Sequence, residues 1–203
     1  MFDPYDLKDA IKEKARQLGF ALAGVTSAGP PQSYPVFREW LAAGRHAGMG
    51  YLASERSLER RADLKAVLPE CKSVLVVAAP YDPPESAAPG VAAYARGGDY
   101  HDVLIPRLQQ IAAFIAEQAG APVPCRWYTD TGPILERDLA QRAGLGWIGK
   151  NSMLINPQAG SYFLLAELLI GIELPPDEPF AADHCGACTR CLQACPTACI
   201  RAD

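Results

Sequence analysis

The predicted fold is centred on SVLVVAA, residues 73–79. Apolar residues, several of them β-branched, follow one another there without interruption. This pattern is typical of a strand that is buried on both faces of a sheet. We therefore expect this strand to lie at the centre of the hydrophobic core.

Helical and strand-like segments are mixed along the rest of the chain. Five segments are predicted to be helical: 6–18, 37–41, 54–67, 103–118 and 133–143. Further strands are predicted at 21–25, 126–129, 152–155 and 161–169. The last two flank the turn NPQAG and resemble a hairpin. Because hairpin strands are antiparallel, we predict a mixed α/β (α+β) fold with a mixed, largely antiparallel sheet rather than a doubly wound parallel one.

The composition is that of a globular protein without an overall basic surface. Of 203 residues, 49% are hydrophobic and 21% are charged, and the formal net charge is −4. Any contact with nucleic acid must therefore be local. The longest apolar stretch, 162–174, contains Glu167 and Glu173, and the N-terminus carries acids where a signal peptide would carry bases. We expect a cytoplasmic, monomeric chain with no membrane association.

Four cysteines form the most specific motif of the sequence. They lie in CGACTRCLQACP, residues 185–196, with the spacing C-x2-C-x2-C-x3-C-P. In bacterial iron–sulfur proteins with this run, three thiolates hold one [4Fe–4S] cluster and the fourth reaches a second. Structural zinc more often uses two well-separated C-x2-C pairs, so the run favours iron–sulfur over a zinc-binding module.

The cysteine run predicts how the ligands are shared. Cys185, Cys188 and Cys191 are expected to bind one cluster and Cys195 a second, whose remaining ligands this chain does not contain. We therefore expect a C-terminally truncated chain, or partner cysteines from elsewhere. The other cysteines are interpreted as structural or incidental thiols: Cys71, Cys125 and Cys199.

A glycine-rich segment, GLGWIGKN at 144–151, contains G-x-G-x-x-G and most of a Walker motif. Both motifs bind phosphate because a strand enters the glycine loop and a helix leaves it. Here the predicted helix comes first and a strand follows, so Gly144 is interpreted as a helix end. The segment is then a tight turn, or a place where Lys150 and Asn151 contact the polar edges of a flat ligand.

Two further polar features each allow two interpretations. YARGGDYH, residues 94–101, is predicted to be a loop, either a structural turn or a binding loop using Tyr94, Arg96 and His101. Asp130 lies between a predicted strand and helix, where it is either an N-cap or a general acid whose pKa burial must raise. On that helix, Arg137 and Arg142 belong to a solvated face or contact phosphate.

Taken together, three stretches resemble the epoxyqueuosine reductase family of cobalamin-dependent iron–sulfur enzymes. They are YARGGDYH, DTGPILERDLAQRAGLGWIGKNSMLINPQAGSYFLLAELL and CGACTRCLQACPT, and the resemblance covers most of the chain. It implies reduction of epoxyqueuosine to queuosine at the wobble position of tRNA. Electrons from a donor of unknown identity would pass through two [4Fe–4S] clusters to a base-off cobalamin.

The resemblance also implies a domain layout and residue roles. Residues 1–174 would form a cobalamin-binding α/β core, and 175–203 a linker and the first half of a two-cluster ferredoxin-like module. Asp130 matches the family's proton donor. The expected contacts to cobalamin are Tyr94, Arg96, Asp130, Lys150, Asn151, Ser152 and Arg61, and the expected metal ligands are Cys185, Cys188, Cys191 and Cys195.

Two other functions remain open. A non-catalytic, ferredoxin-like electron carrier needs only the cysteine run, but it has no evident use for the large preceding domain. Another cobalamin-dependent reductase, such as a reductive dehalogenase, has a similar cysteine layout.

Overall fold

The computed structural model describes residues 3–81 and 90–201, and all its elements lie within them. The helices there are α1 (Pro4–Gln17), α2 (Tyr34–Ala42), α3 (Glu55–Ala62), α4 (Tyr100–Ala119), α5 (Glu136–Arg142) and α6 (Arg190–Ala194). The strands are β1 (Leu22–Ser27), β2 (Ser73–Pro80), β3 (Cys125–Tyr128), β4 (Trp147–Ile148), β5 (Leu154–Ile155) and β6 (Phe163–Ile170). Short 3-10 turns lie at Gly50–Ala53, Leu64–Ala66 and Ala93–Ala95.

A four-stranded sheet in the order β1-β2-β6-β3 forms the centre of the molecule. Every neighbouring pair in it is antiparallel, which confirms the predicted mixed α/β fold with an antiparallel sheet. Strands β2 and β6 pair along eight residues, from Ser73 opposite Ile170 to Pro80 opposite Phe163. Residues 74–78 are wholly inaccessible to solvent, so the prediction of a strand buried on both faces is also confirmed.

Helices cover both faces of this sheet. Side chains alternate between the two faces along each strand, so β6 contributes Leu168 to one core cluster and Leu169 to the other. The first cluster lies against α1 and α4, and includes Ile11, Leu75, Leu108 and Ile115. The second lies against α5 and the segment around Leu64, and includes Val76, Leu139 and Ala143. The result is a three-layer arrangement of helix, sheet and helix.

Four of the five predicted helices form, with shifts at their ends. Gly19 (φ +86°) and Gly120 (φ +67°) follow α1 and α4 in the left-handed conformation that glycine adopts without strain. The segment predicted as one helix at 54–67 is broken at Asp63, which has extended backbone. The prediction of a loop throughout 94–101 is wrong at its end, because the side chain of Asp99 accepts the amide of His101 and starts α4 at Tyr100.

The predicted hairpin between 152–155 and 161–169 is wrong. β5 pairs with β4, while β6 lies between β2 and β3 in the main sheet. Gly146 permits the first pairing, because a Cβ there would lie 2.2 Å from the carbonyl oxygen of Ile155. The turn itself forms, closed by backbone hydrogen bonds between Asn156 and Gly160. The apolar side chains of β6 are buried on both faces of the sheet. A strand of this kind is stable in the centre of the core rather than beside a short strand.

No helix in residues 3–81 or 90–201 is both long and apolar enough to cross a membrane.

A linker after β6 covers the edge of the sheet. The backbone of Asp177 donates to the carbonyl oxygen of Val25 in the edge strand β1 (2.8 Å), and its carboxylate accepts the amide of Val25 (2.8 Å). The same carboxylate pairs with Lys8 (3.2 Å) and Lys12 (2.8 Å) on α1. Burial alone would raise the pKa of Asp177, but the bonds from Lys12 and Val25 outweigh it and lower the pKa. Asp177 thus fixes the start of the cysteine-bearing segment to the core.

We predict that Asp177→Asn lowers the free energy of unfolding at pH 7 by about 2 kcal/mol, because charge-assisted hydrogen bonds are lost. The contribution of a carboxylate with a lowered pKa is present above its unfolded-state pKa and disappears as pH falls through the folded-state value. The difference from the parent chain should therefore vanish in acid. Denaturant titrations at pH 7 and at acid pH measure this difference in the free energy of unfolding. Glu178→Gln, which changes an exposed neighbouring residue, is the control. An equal loss at both pH values would contradict the electrostatic account.

Candidate active site

Two clefts meet beside the loop that follows β3. The larger has a volume of about 580 Å³ and the smaller about 290 Å³. Asp130, Glu136 and Arg137 line both of them. A ligand in one cleft and a ligand in the other would therefore meet at these three side chains.

Asp130 is held in an uncommon backbone conformation. Its φ of +59° lies in the left-handed region, which costs a non-glycine residue about 1 kcal/mol. Thr129 anchors the strand end by donating its hydroxyl to the carbonyl oxygen of Leu165 (3.0 Å). The amide of Asp130 then donates to Oε1 of Glu136 (2.8 Å), so Glu136 holds the loop from the other side.

The alternative that Asp130 caps the following helix is wrong. α5 begins at Glu136 rather than at 133, and Leu135 occupies its N-cap position. The chain between them turns closely over the ring of Tyr128, and a Cβ on Gly132 would lie 2.7 Å from that ring. The carboxyl group of Asp130 is exposed at the clefts rather than bound to helix amides.

A tyrosine that the sequence did not single out orients the Asp130 carboxyl. The hydroxyl of Tyr100 donates to Oδ2 of Asp130 (2.9 Å). Burial, and then this hydrogen bond, raises the pKa of Tyr100 to about 12, so the phenol keeps its proton. Its ring stacks on His101 at 4.2 Å between centroids, and Nδ1 of His101 lies 2.8 Å from Oδ1 of Asp99. The first turn of α4 thus supplies a fixed hydrogen-bond donor to Asp130.

Aromatic side chains from α2 line the larger cleft. Phe37 and Trp40 stack with ring centroids 6.2 Å apart. The guanidinium carbon of Arg61 lies 5.6 Å from the centroid of the Phe37 ring, and Arg61 also donates to the hydroxyl of Ser57 (2.6 Å). Burial lowers the pKa of the Arg61 guanidinium, and nearby Tyr51 and Glu136 oppose this. This wall combines aromatic surface with the positive charge of Arg61, which suits a flat ligand with polar edges.

The structure brings together four of the seven predicted cofactor contacts. Arg61, Asp130 and Ser152 line the larger cleft, and Tyr94 and Asp130 line the smaller one. Their roles remain predictions.

The other three predicted contacts are not among the residues lining these two clefts. Arg96 donates to the carbonyl oxygen of Val91 (3.2 Å), and Oδ1 of Asn151 accepts the amide of Met153 (3.2 Å). Lys150 donates to the backbone of the cysteine segment, as described below.

Arg137 and Arg142 lie on different faces of α5. Arg142 is buried and donates to the carbonyl oxygens of Ser27 (2.8 Å) and Gly29 (3.0 Å). Both interpretations of Arg142, as part of a solvated face and as a phosphate contact, are therefore wrong. Arg137 is exposed at the clefts and donates to the carbonyl oxygen of Ser152.

The cysteine segment is attached to the turn after β4. Lys150 Nζ donates to the carbonyl oxygens of Gly186 (2.7 Å) and Cys188 (3.3 Å), and the indole of Trp147 donates to Sγ of Cys185 (3.5 Å). These contacts orient the loop that carries the first two cysteines.

The thiols are unpaired, and two of them lie close together. All seven cysteines are free, and Sγ of Cys195 is 3.5 Å from Sγ of Cys199. Hydrogen bonds, first from the Thr197 hydroxyl and then from backbone amides, lower the pKa of Cys195 to about 6, which favours a thiolate. Within the described residues no three His, Cys, Asp or Glu side chains surround a common metal position. The donor set of closely spaced thiols nevertheless fits iron–sulfur chemistry.

The comparisons with known proteins agree on one family. The family model described as epoxyqueuosine reductase QueG, DUF1730, matches residues 61–131. A curated epoxyqueuosine reductase of Synechococcus sp. (strain RCC307) is 41% identical over 97% of this chain, which spans 62% of that protein. The chain thus covers less than two thirds of its relative.

Solved structures show the same likeness in three dimensions. An epoxyqueuosine reductase bound to an epoxyqueuosine-modified tRNA stem loop is 33% identical, with a TM-score of 0.85 over 98% of this chain and 54% of its own. The Bacillus subtilis enzyme, with its catalytic aspartate loop swung out of the active site, is 31% identical over the same shares, with a TM-score of 0.81.

A reductive dehalogenase described as B12-dependent shares the fold, at 21% identity and a TM-score of 0.56 over 90% of this chain and 22% of its own. The likeness to the reductases extends over nearly all of the chain in both sequence and structure. In both sequence and fold, the chain is similar to epoxyqueuosine reductases.

Proposed function

We propose that the protein containing this chain reduces epoxyqueuosine to queuosine in tRNA. The observation that carries the proposal is the position of Asp130, whose carboxyl lies where two clefts meet and accepts a hydrogen bond from Tyr100. Removing an epoxide oxygen requires a reductant on one side of the substrate and an acid within reach of the oxygen. One acid between two adjoining clefts meets that requirement.

The residues at the clefts fit cobalamin. Aromatic walls suit the corrin ring, and Arg61, Tyr94 and Ser152 would hydrogen-bond its polar edges. When bound, cobalamin would supply a reducing cobalt centre.

The cysteine segment fits an electron-supplying role. Cys185, Cys188 and Cys191 would hold one [4Fe–4S] cluster, and Cys195 would contribute to a second. We propose that residues 1–174 form the cobalamin-binding core and 175–203 the start of a ferredoxin-like module. The anchoring of Asp177 on β1 and of Lys150 on the cysteine loop supports a fixed distance between them. Seven free thiols suit a reducing, cytoplasmic setting.

Asp130 has a defined task in this scheme. Opening the epoxide leaves negative charge on oxygen, and a carboxylic acid in contact with that oxygen can neutralise it. Because Tyr100 donates to Oδ2, the transferable proton would sit on Oδ1.

tRNA and an electron donor are the expected partners. The solved structure of a relative with a modified tRNA stem loop supports the tRNA assignment. Because the net charge is −4, tRNA phosphate must be bound by local basic groups. Among the described residues, we propose Arg137 at the clefts for this contact.

Asp130→Asn should retain cobalamin but lose turnover by at least about 100-fold, because the amide keeps the shape of the side chain without an acidic proton. Conversion of epoxyqueuosine in tRNA by the full-length protein measures turnover, and spectroscopic titration measures cobalamin binding. Asp102→Asn, on the exposed side of α4, is the matched control. An Asp130→Asn variant with near-normal turnover would rule out the role.

Cys191→Ser should abolish or strongly reduce the iron content and the visible absorbance of the anaerobically reconstituted chain, because it removes a ligand of the first cluster. Cys125→Ser, which changes a cysteine on β3, should retain both. Metal analysis of the same samples distinguishes an iron–sulfur cluster from a zinc site. Stoichiometric zinc in place of iron would contradict the iron–sulfur assignment.

A further inference from the structure

The reaction proposed above consumes more protons than Asp130 can hold. When an epoxide becomes an alkene, both carbon–oxygen bonds break, a carbon–carbon double bond forms and the oxygen leaves as water. Two electrons and two protons are taken up in this change. The proposed cobalamin and iron–sulfur clusters would supply the electrons, but a single carboxyl delivers only one proton. The following inference rests on that proposed function.

Glu136 is the next acid at the same place. It lines both clefts together with Asp130, and its Oε1 accepts the amide of Asp130 at 2.8 Å. A protonated carboxyl can accept this bond on Oε1 and carry its proton on Oε2. The geometry therefore allows Glu136 to fix the Asp130 loop and to be an acid simultaneously.

A second acid lies beneath Glu136 in the core. Glu167 occupies the middle of β6, opposite Val76 on β2 and Tyr128 on β3. Since Leu169 packs on the α5 side of the sheet, Glu167 faces that side too. Its exposure is 0%, and neither carboxyl oxygen has a hydrogen-bond partner among the described residues.

Such a group remains neutral, because an ionised carboxylate without a partner is far too costly to bury. Burial, and then the charge of Glu136, raises the pKa of Glu167 well above its ordinary value. Glu167 therefore contributes no charge of its own beneath Glu136.

The groups that face Glu136 come from four directions. Asp130 lies on the loop after β3, Arg137 on α5, Arg61 on α3 and Glu167 on β6. Burial is the largest influence, and together with the charge of Asp130 it outweighs the two arginines and the Asp130 amide. The pKa of Glu136 rises to about 7, where a general acid works well at neutral pH.

The remaining charged residues on α5 have partners of their own. Asp138 accepts the amide of Ser33 (2.7 Å) and pairs with Arg142, which is bound to carbonyl oxygens near β1. Tyr100, on α4, is directed at Asp130.

We propose that Glu136 is the second general acid of the reaction, delivering the proton with which the oxygen leaves as water. Asp130 protonates the oxygen as the first carbon–oxygen bond breaks, and Glu136 protonates the resulting hydroxyl as the second bond breaks. Two acids thus account for two protons.

Glu136→Gln tests the proposal, because the glutamine oxygen still accepts the amide of Asp130 and preserves the loop. The variant should lower kcat about 100-fold in the full-length protein. In the parent enzyme, kcat should fall as pH rises above about 7, because Glu136 loses its proton. Glu136→Gln should lose that alkaline limb, whereas Glu167→Gln should retain it. Glu117→Gln, at the exposed end of α4, is the control for a remote glutamate.

A carboxyl titration provides a readout that needs no cofactor. In the chain labelled with 13C at glutamate side chains, NMR should show one carboxyl titrating near pH 7, and this signal should be missing from Glu136→Gln. Normal kcat and an intact alkaline limb in Glu136→Gln would overturn the inference while leaving the proposed function in place. A parent enzyme that does not convert epoxyqueuosine would refute the function itself. A titration near pH 7 that disappears in Glu167→Gln would overturn the assignment to Glu136.

Discussion

The antiparallel pairing of β2 with β6 is the constraint on which the rest of the structure depends. Eight residues of each strand are matched, and the side chains of both strands alternate into the two helix-covered clusters. A shift of one residue would exchange the faces and place Leu168 and Leu169 in each other's environments. The same register fixes the carbonyl oxygen of Leu165, which receives the hydroxyl of Thr129 and so determines where β3 ends and Asp130 begins.

The rigid sheet holds two groups at the candidate site, each of which destabilises the folded state. Asp130 has a left-handed backbone, and Glu167 is buried without a partner among the described residues. Each costs folding free energy. Both lie next to Glu136, which contacts the Asp130 amide directly. Destabilising groups that cluster where two clefts meet are typical of a functional site. An electron carrier would have no need for such a cluster.

Local signals made much of the fold predictable. The uninterrupted run at 73–79 identified the central strand, and Gly19 and Gly120 marked helix ends because only glycine adopts their conformation without strain. The turn before β6 did not reveal its pairing. β6 pairs with β2 and β3 because its apolar side chains are buried between the two helix layers. The importance of Tyr100 and Glu167 was equally hidden, because their relations to Asp130 and Glu136 connect residues about thirty positions apart. In the sequence, Glu167 is only an acid that interrupts an apolar stretch. That interruption was the one sequence signal of a buried acid.

The central proposal is that the clefts beside Asp130 bind cobalamin. Electron paramagnetic resonance of cob(II)alamin, titrated with the folded, anaerobically purified chain, tests this claim most directly and does not depend on the clusters. The account predicts saturable binding with conversion to a base-off spectrum. An unchanged spectrum in the presence of protein shown by circular dichroism to be folded would contradict it, and would leave the cysteine run as the best-supported chemical feature of the chain.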